Sequence, residues 1–143
     1  MTSTLTCGYP EIYAGFTIRG LGLDLPGITA TLGLQPSSTR KAGSRWKDPP
    51  RPQVDIWALD GRRERTLDGA AAIETLVGLL EPAQEKMWQV RATYPEAAFD
   101  LTLVVYLSSP SCLFPDVTLP NELLARMARL GLRFSVSTYA VEE

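Results

Sequence analysis

No histidine occurs in this 143-residue sequence. That absence removes the commonest general base, the Ser-His-Asp and Cys-His arrangements, and nearly every zinc site. Cysteine is almost as scarce. Cys7 and Cys112 stand far apart, and a chain so poor in cysteine reads as reduced and cytoplasmic. No apolar stretch approaches the ~20 residues a membrane helix needs. Met1 to Pro10 lacks the basic start and apolar run of a secretory signal. No charge of one sign dominates either: 14 Lys and Arg oppose 16 Asp and Glu, for a formal net charge of −2. Nothing in that balance steers the chain toward nucleic acid or a membrane surface.

The usual chemical constellations are missing too. The nearest carboxylate pairs, Asp55 with Asp60 and Glu81 with Glu85, read as solvated surface. Gly20-Leu21-Gly22-Leu23 lacks the further glycine and the Lys-Ser/Thr that give a phosphate loop its meaning, so it reads as a turn. No catalytic residue, metal ligand or cofactor is expected.

What is present describes a globular protein. Hydrophobic residues make up 45% and charged residues 21%, the balance of an ordinary folded domain. The length suits one domain, placed at residues 11–140 after a flexible lead-in at 1–10. The charge is unevenly spread. Residues 40–65 carry a net +4, and the remainder carries −6.

From Ile12 to Arg19 apolar residues alternate, which predicts a half-buried strand. Pro26 suits a first helical turn, Gly33 a left-handed end and Pro36 a stop, so a short helix follows. Residues 35–53, with four prolines and one glycine, read as a long loop. Val54 to Leu59 alternates as a second strand. Leu67 to Tyr94 has helical periodicity interrupted by Pro82, which predicts two helices folded as a hairpin. Ala98 to Leu107 is the most apolar strand and is expected centrally. Pro120 to Leu130 gives another helix and Arg133 to Tyr139 a last strand. The order β-α-β-(αα)-β-α-β predicts an α+β fold: a ferredoxin-like two-layer sandwich on a four-stranded antiparallel sheet.

Two segments stand out as binding candidates. The basic loop holds Arg40, Lys41, Gly43, Arg45 and Trp46. It reads as a solvated loop whose tryptophan covers the sheet edge, or as an anion, acidic-partner or nucleic-acid site, with nucleic acid disfavoured. The loop at 108–118 holds Leu113, Phe114 and Val117, which either pack on the helices or form a partner surface. Trp57 and Trp88 follow the periods of their neighbours and read as packing residues. The function that fits is a small non-enzymatic protein-binding module, of an immunity-like or antitoxin-like kind. The alternative is an anion- or nucleotide-binding domain using residues 40–47. An exposed second or fourth strand makes a homodimer conceivable.

The run Leu23-Asp24-Leu25-Pro26-Gly27-Ile28-Thr29, then Leu32-Gly33-Leu34-Gln35-Pro36-Ser37, then Arg40-Lys41-Ala42-Gly43, carries a resemblance. So do the strand holding Trp57, Glu122-Leu123-Leu124-Ala125-Arg126, Leu130-Gly131-Leu132 and Tyr139. Over roughly residues 12–139 the chain resembles a bacterial family designated domain of unknown function 4279. The resemblance implies a bacterial or phage source and a cytoplasmic home, and brings no activity. Leu25 and Leu119 stand where such chains tend to place a polar cap. Capping is therefore expected from Asp24 and Thr118, one residue earlier.

Overall fold

The computed structural model describes residues 8–43, 54–108 and 112–141. Strand β1 (Glu11–Gly20) alternates as predicted, with Ile12, Ala14, Phe16 and Ile18 buried on one face. Helix α1 (Leu25–Leu32) follows. Its first turn is capped by Asp24, whose carboxylate accepts from the Gly27 N–H at 3.1 Å. Gly33 ends it at φ 68°, a left-handed conformation that a side chain disfavours. The expected cap at Thr118 is not formed: that hydroxyl donates to Asp116 at 2.6 Å, and the later helix starts from Pro120 with no side-chain cap.

The segment read as a long loop contains a strand, β2 (Ser38–Arg40). It pairs antiparallel with β3 (Asp55–Asp60), and β3 pairs antiparallel with β1. Two further residues, β4 (Glu64–Arg65), extend the β3 pairing along β1. Between the pairs Gly15↔Asp60 and Ile12↔Glu64 the second strand has one residue more than β1. That is a bulge at 61–63, held by the Gly61 N–H donating to the Ala14 carbonyl at 2.7 Å.

Strand β5 (Ala98–Leu107) pairs antiparallel with β1 and parallel with β6 (Arg133–Ala140). The sheet order is therefore β2-β3-β1-β5-β6, with β4 on β1. The α+β class stands, and 98–107 lies inside the sheet. The ferredoxin-like, four-stranded, all-antiparallel sheet does not: among the described residues the sheet has six strands and is mixed. The reason is parity. The unread strand β2 reverses the chain once more, so β3 slots between β1 and β2 and runs against both, a split βαβ unit. β6 follows its single crossover helix to the vacant side of β5 and must lie parallel to it.

The helical hairpin is corrected on the same grounds. Helix α2 (Gly69–Leu80), a 3-10 turn at Glu81–Ala83 and helix α3 (Gln84–Thr93) follow one another, with Leu80, Glu81 and Gln84 in right-handed helical dihedrals and Ala83 departing from them at φ −97°, ψ 12°. Pro82 breaks the α-helical hydrogen bonding as expected. Thr66 bonds Pro10 at one end of β1, whereas Ala98 pairs with Arg19 at the other. The run therefore crosses the sheet once, as a bent rod.

Helix α4 (Asn121–Arg129) carries Leu123 and Met127 inward. Residues of all four helices join one core with Ile12, Phe16, Ile18, Trp57, Leu101, Leu103 and Val105. Each large side chain so buried contributes about 1.5–3 kcal/mol. The other sheet face presents Tyr13, Thr17, Arg19, Thr102, Tyr106, Ser135, Ser137 and Tyr139, by the register.

Candidate interaction surface

Strand β6 is the sequence RFSVSTYA, rich in β-branched and aromatic residues and free of proline and lysine. Its alternation aims Phe134, Val136, Thr138 and Ala140 at the helix side, level with Leu101, Leu103, Val105 and Leu107. Yet the helix layer does not reach over it. Phe134 is 36% exposed, Val136 40%, Tyr139 52% and Val141 42%. Only Ser137 along the strand is less than exposed.

The backbone of β6 is half occupied. The Val141 N–H donates to the Leu107 carbonyl at 2.9 Å. Along a strand the N–H and C=O of successive residues turn to opposite sides, so Ser135, Ser137 and Tyr139 also face β5. Phe134, Val136, Thr138 and Ala140 turn their N–H and C=O groups to the open margin. Among the described residues no strand pairs there. The opposite margin, β2, is three residues long. Of the two edges, β6 is the long one, with neither bulge nor lysine to blunt it.

The open sheet face leads to this edge through two rows. In one, Asp100 lies between arginines from neighbouring strands: Arg19 Nη2 at 2.7 Å and Arg133 Nε at 2.6 Å. Burial pushes the Asp100 carboxyl up, but the hydrogen bonds from Arg133 and Arg19 outweigh it and hold the group below the usual range. In the other, Tyr13, Tyr106 and Tyr139 stack across β1, β5 and β6 with centroids 6.3 and 5.6 Å apart. Arg63 covers Tyr106 at 4.6 Å and Tyr13 at 5.4 Å. Burial, followed by the charge of Asp60, pushes Tyr13 up to about 12, so its hydroxyl keeps its proton at neutral pH. The ladder ends on Tyr139, at the margin.

The sequence candidates are scattered. Arg40 lies in the β2 edge and Gly43 in an exposed turn. Lys41 Nζ donates to the Leu23 carbonyl at 3.1 Å. Arg45 and Trp46 lie outside the described residues, as does Cys7. Leu113 and Phe114 are each 52% exposed, while Val117 packs against the core. Trp57 is fully buried, and Trp88 is half exposed with Arg91 stacked 4.5 Å over its ring.

Sequence reasoning missed Asp55. It is buried, not solvated, and accepts from the N–H groups of Leu23 at 2.8 Å and Ala42 at 2.7 Å. The signal was its place two residues before Trp57, on the inward face. Among the described residues no group of three or more His, Cys, Asp or Glu is placed to hold a metal ion. No helix of the described residues is long and apolar enough to cross a membrane.

No curated protein and no solved structure matches the chain. A family model does, over residues 10–141, nearly the whole length, so the chain belongs to the family described as Domain of unknown function (DUF4279).

Proposed function

We propose that the chain is a non-enzymatic protein-binding module that takes an extended partner segment onto the β6 edge. The observation that supports it is the open margin of β6, where four successive edge-facing residues lie beside exposed apolar side chains. Main-chain bonds from Phe134, Val136, Thr138 and Ala140 supply affinity in such strand addition, and side-chain contacts on the two faces supply selectivity. A cytoplasmic neutralising factor of the immunity or antitoxin kind works through a surface of this sort, in a bacterial cell. The basic loop at 40–47 has less to support it as an anion or nucleotide site, because Lys41 is already engaged by Leu23.

Thr138→Pro removes one edge-facing donor and leaves the β5 ladder intact, since proline is tolerated on an edge. Panning a displayed library of random decapeptides on dilute protein is expected to return sequences of alternating apolar and polar residues. Their binding should fall at least ~10-fold in Thr138→Pro, about 1.4 kcal/mol, with the melting temperature nearly unchanged. Peptides that bind both proteins equally would contradict the reading.

A further inference from the structure

Resting on this strand-binding reading, we infer that the partner of the β6 edge is a second copy of this chain, paired antiparallel about a two-fold axis at Ser137. The strand is complementary to itself in one register. Residues directly opposite each other in an antiparallel pair lie on the same face, so the axis must pass through a residue and not between two. With Ser137 at the axis, Phe134 meets the second copy's Ala140, and Val136 meets its Thr138. All the edge-facing residues of both copies then exchange main-chain bonds with one another. Moving the axis to Val136 leaves Ala140 without an edge-facing counterpart inside the strand.

The side chains fit the same register. On the helix side a large Phe134 stands opposite a small Ala140. On the open face a large Tyr139 stands opposite a small Ser135, and Ser137 stands opposite itself. The apolar side chains of β6 that the helices leave exposed, Phe134 and Val136, are then covered by the same side of the second copy. Like charges do not meet, because Arg133 is the only charged residue of the strand and lies opposite Val141. The tyrosine ladder Tyr13–Tyr106–Tyr139 reaches the seam from both sides, and the sheet continues from one copy into the next.

The register makes Ser137 a non-hydrogen-bonded pair, with Cα atoms about 4.5 Å apart, within the span a disulfide bridges. In a chain carrying Cys7→Ser and Cys112→Ser, Ser137→Cys is expected to form a covalent dimer under mild oxidation. Ser135→Cys, whose counterpart in the second copy lies about 13 Å away, should cross-link at least ~10-fold less. Ser137→Lys and Ser137→Glu should each sediment as monomers, because like charges then face each other at the axis. An equimolar mixture of the two should recover the dimer. Circular dichroism and melting of each variant report whether the monomer fold is intact.

Equal cross-linking at 135 and 137, or dimers from both charged variants alone, would overturn this register. Wild-type protein that stays monomeric at every concentration while peptides bind its edge would overturn the second copy and leave strand addition standing. Loss of peptide binding and dimer alike would overturn both.

Discussion

Trp57→Ala is expected to lower stability by about 3–5 kcal/mol, the range for deleting a buried tryptophan side chain. A domain of this size is stable by about 5–15 kcal/mol, so the variant should sit near the threshold of folding. Trp57 is fully buried in β3, opposite Ile18 of β1. Its ring meets Phe16 edge-on at 6.0 Å, and its indole N–H donates to the Thr29 hydroxyl of α1 at 2.9 Å. The side chain thus fastens the first helix to the strand that the split βαβ unit inserts beside β1. Trp57→Phe keeps most of the volume and loses the hydrogen bond, so a cost nearer 1 kcal/mol follows. Urea unfolding of the three proteins measures both differences. Equal midpoints for wild type and Trp57→Ala would show that the core does not close over this residue.

The second large effect belongs to Asp55. Asp55→Ala leaves the N–H groups of Leu23 and Ala42 without their acceptor, at about 2–4 kcal/mol for the two. It also separates the turn after β1 from the turn after β2, which Lys41 joins a second time through the Leu23 carbonyl. The carboxyl is held below the usual range, first by the Ala42 N–H. Burial opposes this, and the Leu23 N–H and the Lys41 charge add to the lowering. The unfolded chain therefore takes up this proton at a higher pH than the folded one does. The stabilisation is complete above the ordinary aspartate range, about pH 4, and is lost as pH falls through the lower folded-state value. Asp100 adds a dependence of the same sign. Urea unfolding at neutral pH and at about pH 3 should show a smaller acid loss in Asp55→Asn than in wild type. Identical losses would mean that this carboxyl titrates alike in the folded and the unfolded chain, contrary to the hydrogen bonds that hold it down.

The strands with strong alternation, Ile12 to Arg19 and Ala98 to Leu107, were legible because one face of each is buried. The α1 boundaries were legible because Asp24, Pro26 and Gly33 act locally. Strand β2 was not. Ser38, Thr39 and Arg40 are all exposed and polar, and only their pairing with Ile56, Trp57 and Ala58 makes them a strand. That pairing crosses a long sequence gap, which no local pattern records. Missing it inverted the parity of the first half and produced the wrong sheet. The basic loop drew attention through its charge, yet Lys41 serves the fold and Asp55, beside it in space, was read as surface. The alternation of β6 was visible; its status as the open margin depends on which side of β5 the α4 crossover leaves free.

Residue-resolved amide exchange along β6 tests the open edge most directly. In dilute protein the N–H groups of Ser135, Ser137, Tyr139 and Val141 should exchange slowly, and those of Phe134, Val136, Thr138 and Ala140 quickly. Raising the protein concentration should slow the second set alone. Slow exchange of both sets, without alternation, in protein dilute enough to sediment as a monomer would contradict a margin free to take a strand.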